Sequence, residues 1–150
     1  MKHRGTEGLW RKIWRFVLAT FYAVAGWFHL TTAGPFLKIM PAWVPSPELV
    51  VTATGIAELL GAVALAQPWW PALRRAGGVG LALYALSVWP ANFQHMALDI
   101  ARPDGGLGLA YHVPRLAAQP LLIWLALWVG GALPGQRPPA LNLPCRRRRS

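Results

Sequence analysis

Acidic side chains are scarce in this sequence: five Asp and Glu stand against fifteen Lys and Arg, a formal net charge of +10 over 150 residues. Cysteine is scarcer still, with Cys145 alone. One thiol excludes an internal disulfide, a CxxC redox pair and an all-cysteine zinc site. What remains for Cys145, beside the tail arginines, is a solvated thiol or an acylation site at a membrane surface. No nucleophile elbow, phosphate-cradling glycine loop or zinc-protease motif occurs, and Gly77-Gly78-x-Gly80 opens an apolar run and reads as a packing surface. Long stretches also lack charge of either sign. The basic residues gather in an N-terminal segment (Lys2, Arg4, Arg11, Lys12, Arg15), at Arg74 and Arg75, and in a tail (Arg137, Arg146, Arg147, Arg148, Arg149). A soluble basic domain would spread such residues over helix faces. Here they adjoin apolar runs, so they read as topology signals and as attraction to anionic lipid, and nucleic-acid binding is not expected.

What the sequence has in quantity is apolar length. Four stretches stand out, at about 13–33, 49–67, 76–98 and 116–133. Each matches the ~30 Å hydrocarbon core at about 1.5 Å per helical residue, and backbone groups in lipid must be bonded within their own segment. The first follows basic residues as a signal peptide would, but its length, the lack of an A-x-A site and the three later runs make it a retained helix. Prolines and glycines punctuate the junctions: Gly34-Pro35 with Pro41, Pro45 and Pro47; Pro68 and Pro71; Pro103 with Gly105 and Gly106.

The expected fold is therefore all-α, a four-transmembrane-helix bundle. Residues 1–12 form a basic cytoplasmic segment, 13–133 the membrane domain and 134–150 a Pro/Arg-rich cytoplasmic tail. Twelve of the fifteen basic residues fall on one side and only Lys38, Arg102 and Arg115 on the other, which puts both termini inside. Trp10, Trp14, Trp69 and Trp70 then sit at the inner interface, and Trp43 and Trp89 near the outer one. Four-residue repeats of small side chains, Ala53, Ala57 and Gly61 on the second span and Ala19 and Ala23 on the first, predict close helix packing.

Some polar residues are out of place in lipid: His29 on the first span, Glu58 on the second, Asn92 on the third, and Arg115 and Gln119 at the start of the fourth. A charged centre costs several kcal/mol there unless paired or neutralised. Glu58 falls near mid-depth and the other four toward the outer ends, so the five are expected to converge on one pocket in the outer half. Arg115 and Gln119 share a helix face, as do Thr54 and Glu58. Pro90 and Pro120 free the carbonyls of Leu86 and Leu116 for further bonds. Glu58 paired with Arg115 or His29 would serve either as a helix clasp or as a ligand, proton or quinone site. Burying an ion pair is a poor route to stability, which favours the second. His29, His95 and His112 with Met40 and Met96 offer no ligand spacing, so no metal site is expected, and His95 and His112 read as interfacial residues.

Several motifs resemble a known family in order and spacing. They are Tyr22-Ala-Val-Ala-Gly-Trp-Phe-His29-Leu, Phe36-Leu-Lys-Ile-Met-Pro-Ala-Trp-Val-Pro-Ser-Pro47, Thr54-Gly-Ile-Ala-Glu58-Leu-Leu-Gly61, Pro90-Ala-Asn92 and Arg115-Leu-Ala-Ala-Gln119-Pro. Together, over about 22–128, they resemble the DoxX-like family of small bacterial membrane proteins. The resemblance implies four helices, a bacterial inner-membrane location and motif positions at Glu58, Asn92, Arg115 and Gln119. Ala117 stands where that pattern has proline. Members of the wider family resemble quinone-reducing subunits of thiosulfate oxidation or associate with redox or sulfur-handling partners, and eukaryotic relatives look like receptor assembly factors. The expectation is thus a partner-dependent subunit of membrane redox chemistry, not an enzyme on its own, self-associating or bound to such a partner, with a quinone headgroup held between Glu58, His29 and Arg115. A small proton-coupled permease and an assembly factor are the alternatives.

Overall fold

The computed structural model describes residues 8–136, and these are helical with no strand among them. Lys2, Arg4, Cys145 and the tail arginines from Arg137 onward lie outside the described residues.

Helix α1 spans Leu9–Thr31, α2 Gly34–Lys38, α3 Pro47–Ala66, α4 Pro71–Ile100 and α5 Leu109–Gly130. Proline marks the first turn of α2, α3 and α4, where its missing N–H has no intrahelical partner to lose. Glu48 adds favourable charge at the α3 N-terminus. Ser46, between two prolines, takes a left-handed φ of 48° and swings the chain sharply into α3. At the far end Gly131, with φ 82°, closes α5 through the left-handed cap that glycine supplies.

The four expected stretches correspond to α1, α3, α4 and α5, with one marked difference at an end and one addition. Helix α5 begins at Leu109 and not near Leu116, because Pro114 sits early in the helix and removes one backbone bond without stopping it. Arg115 therefore lies well inside α5 and not at its mouth. The segment read as a plain break at Gly34-Pro35 folds instead into the short α2.

Three of the helices, α1, α3 and α5, are long and apolar enough to cross a membrane by length and composition. Their exposed side chains, among them Phe21, Val24, Leu60, Val63 and Leu121, form an apolar outer surface that water would not tolerate.

Helix α1 packs chiefly on α3 and α4 on α5, the α3–α4 contact joins the two pairs, and α1 touches α5 along a smaller seam. The core lies toward the ends that carry the α3–α4 turn: Leu18, Ala19 and Tyr22 of α1, Ala62 and Leu65 of α3, Leu81 and Ala82 of α4, and Ala126 and Val129 of α5. Buried Arg15 donates from Nη1 to the Leu65 carbonyl at 2.6 Å and the Ala66 carbonyl at 3.1 Å, satisfying the C-terminus of α3. One of the residues counted as a topology signal thus also ties α1 to α3.

The small-residue stripes divide. Ala19 is buried and Ala23 packs against the core. Gly61 is buried against Leu81, where an added Cβ would come within 2.5 Å of the leucine side chain. Ala53 and Ala57 are exposed, which corrects their expected role in packing within the chain. Each four-residue step turns about 400° on a helix of 3.6 residues per turn, so the row drifts round the cylinder and only its last member faces inward. The close contact between α1 and α3 uses Gly26 and Gly55 instead: a Cβ on Gly26 would stand 2.7 Å from the Gly55 carbonyl oxygen.

Candidate functional site

Beyond the core, toward α2, the helices part around a cavity of about 750 Å³. Its walls come from α1, α3, α4 and α5, and Phe36, Ile39, Met40, Trp43 and Val44 of the α2 segment complete it. His29, Glu58, Asn92, Arg115 and Gln119 all line it, so the residues that stand out as polar in the sequence share one space.

Within that space they form two groups. Glu58 is 2% exposed. Its Oε2 lies 2.7 Å from Nδ1 of His29, but that ring nitrogen also meets the Ala25 carbonyl at 3.0 Å. One N–H cannot point at both acceptors, and Oε2 is left without a well-directed hydrogen bond. The ring of Phe36 stacks on His29 at 3.8 Å between centroids, fixing the imidazole from the α2 side. Tyr84 of α4 lines the same cavity as Glu58. Tyr22 packs edge-on against Tyr84 at 6.0 Å, and its own buried hydroxyl has no partner. Two polar atoms are thus buried beside the same cavity short of partners: Glu58 Oε2, which meets only the shared His29 nitrogen, and the Tyr22 hydroxyl, which meets none. Such atoms cost about 1–3 kcal/mol each unless a ligand or water completes them.

The second group sits between α4 and α5. Arg115 does not reach for Glu58; its Nη1 is 2.6 Å from Nδ1 of His95, and the guanidinium lies over the Tyr111 ring at 5.8 Å. Gln119 is buried and donates from Nε2 to the Ala85 carbonyl at 3.1 Å. That places its bond one residue away from the Leu86 carbonyl expected to be freed by Pro90. Of the two clasps open to Glu58, the structure therefore brings His29 to it, and Arg115 stands in a separate pair.

Asp99 ends the polar row on α4. Its Oδ2 accepts from the Leu107 backbone N–H at 2.9 Å and meets Nε2 of His112 at 3.0 Å and Nε2 of His95 at 3.9 Å. The Leu107 N–H, then the His112 bond, hold the Asp99 carboxyl below its ordinary range. In the same loop the Arg102 guanidinium bonds both oxygens of Asp104, and with the Gly106 N–H it pushes that carboxyl down to about 2. His112 is 1% exposed, so the expectation of an interfacial histidine is corrected: the loop folds back and buries the ring against Asp99. His95, Asp99 and His112 are also the described residues grouped closely enough to hold a metal ion.

The family model described as Domain of unknown function (DUF8561) matches residues 18–130. The chain belongs to that family. The matched region runs from α1 to the end of α5 and so contains the whole cavity and both polar groups. No curated protein and no solved structure matches the chain.

Three residues of the site escaped the sequence reading. Tyr22 and Tyr84 look like ordinary aromatics of an apolar helix, and only packing reveals that they line the cavity with Glu58. Asp99 lies just past the apolar run 76–98, although its four-residue spacing from His95 was a usable signal.

Proposed function

We propose that the protein is a four-helix, multi-pass membrane protein of the bacterial inner membrane whose cavity binds a lipophilic ligand with a polar, quinone-like headgroup. It would act with a redox or sulfur-handling partner and not as an enzyme alone. The observation that carries this reading is the buried, incompletely bonded pair of Glu58 Oε2, held only by the shared His29 nitrogen, and the partnerless Tyr22 hydroxyl, beside an otherwise largely apolar cavity.

Helix α4 is the fourth crossing in this reading. It is flanked by α3 and α5, both able to cross, and joined to them by short connections. A helix packed between two spanning helices must share their slab. Its central stretch is made less apolar by Gly77, Gly78, Gly80, Ser87, Pro90 and Asn92, while Arg74 and Arg75 stand just outside one end of 76–98 and Asp99 just outside the other. The charge asymmetry supports both termini inside and the α2 segment outside. The resemblance to DoxX-like proteins agrees with this arrangement.

The cavity suits such a ligand in size and chemistry. A volume of about 750 Å³ lies within the range of small-molecule pockets. The Tyr22 and Tyr84 hydroxyls and the Arg115 guanidinium can donate to carbonyl oxygens. Glu58, beside His29, is placed to exchange a proton with a headgroup that gains electrons from a partner.

The test is titration of the purified protein with ubiquinone and menaquinone analogues. Wild type should bind with Glu58→Gln at least about tenfold weaker, as expected for loss of a bond to a charged group. Equal binding by both proteins, or none by either, would overturn the assignment.

A further inference from the structure

We infer that His95, Asp99 and His112 form a binding site for one divalent transition-metal ion, with zinc as the best match to the ligand set. The site stands on its own residues and does not depend on what the cavity holds.

His95 and Asp99 are four residues apart on α4, which puts their side chains on one face a single turn apart. The loop between α4 and α5 then returns the chain so that His112, in the first turn of α5, meets them. The three potential ligand atoms all lie within 4.8 Å of one another. At metal–ligand bonds of about 2.0–2.1 Å, atoms sharing a tetrahedral ion stand roughly 3.3 Å apart. The separations from Asp99 Oδ2, 3.0 Å to His112 and 3.9 Å to His95, fall on either side of that spacing.

A plain structural clasp explains only part of this arrangement. Asp99 with the Leu107 N–H and His112 suffices to close the loop. It does not use His95, whose Nε2 faces the same oxygen at 3.9 Å, too long for a hydrogen bond, while Arg115 holds the opposite ring nitrogen. An ion between the three groups gives that geometry a purpose. Two imidazoles and one carboxylate suit Zn²⁺, whereas Ca²⁺ and Mg²⁺ prefer all-oxygen shells. Water would fill the remaining coordination position.

Arg115 supplies a sharper consequence. Its guanidinium now faces Nδ1 of His95, which must therefore present a lone pair there. A neutral histidine bound to metal through Nε2 carries its proton on Nδ1, and that N–H cannot face a guanidinium donor. Metal loading must displace Arg115 from His95, so arginine and ion compete for the same imidazole. Since Arg115 also lines the cavity, loading would free its guanidinium toward that space.

The test is calorimetric titration of the full-length, metal-free protein in detergent with Zn²⁺ alone, in a Cys145→Ser background that removes the lone thiol. One ion should bind per chain. His95→Gln, Asp99→Asn and His112→Ala should each weaken binding at least about tenfold. Arg115→Gln should strengthen it, and a hundredfold excess of Ca²⁺ should not compete. His95→Gln keeps an acceptor for Arg115 and so guards against simple unfolding, with circular dichroism reporting the helices of every variant. Binding unchanged in His95→Gln, weakened in Arg115→Gln, or absent from the wild type would overturn the assignment.

Discussion

Glu58 and His29 are the two side chains whose placement is hardest to explain by stability. Both sit on helices that qualify as membrane spans, and Glu58 is almost wholly removed from the surface. Replacing a buried polar pair by packed apolar groups is often neutral or stabilising by about 1–4 kcal/mol, whereas deleting one partner costs about 3–5 kcal/mol. The double substitution His29→Leu with Glu58→Met should therefore leave thermal stability in detergent unchanged or raised, while Glu58→Ala alone lowers it. A double variant less stable than either single one would make the pair part of the scaffold. The polar residues themselves were legible in the sequence, since His29, Glu58, Asn92, Arg115 and Gln119 interrupt apolar runs. Their pairing was not. Whether Glu58 meets His29 or Arg115 depends on helix rotation and on Phe36 and His95 as competing neighbours, none of which periodicity resolves.

The helices show the same division between what pattern reveals and what packing decides. Apolar length located α1, α3, α4 and α5, and proline and glycine located their connections. Helix α2 was hidden because Pro35 signals a break and also a first turn. The inward face of α3 was misread because small residues mark close approach without saying to which side, and Gly26 with Gly55 took the role given to Ala53 and Ala57. Helix α4 carries the main element-scale prediction. If its central stretch crosses the bilayer, a reporter inserted at Gly105, in the exposed α4–α5 loop, should report the periplasmic side. A reporter at Trp69, in the α3–α4 turn, should report the cytoplasmic side. Both on one side would remove α4 from the membrane and leave three spans.

Across the whole molecule, the division of labour runs along the bundle axis. One half is closed by Leu18, Leu65, Leu81 and Val129 and by the Arg15 tie to α3; the other is opened around a cavity with polar groups on its walls. A bundle built only for stability would fill both halves, because empty space forfeits dispersion contacts and unbonded polar atoms add to that cost. The cavity is the feature that composition and spacing could foreshadow only as a convergence of residues, without size or walls. Native mass spectrometry of the protein released gently from its own membranes examines it most directly. Wild type should carry one tightly held lipophilic molecule per chain, and Ala118→Trp, which fills the cavity from α5, should keep its helices and lose that molecule. A wild-type chain that emerges bare, or a filled variant that retains the same adduct, would contradict a ligand-binding role for this space.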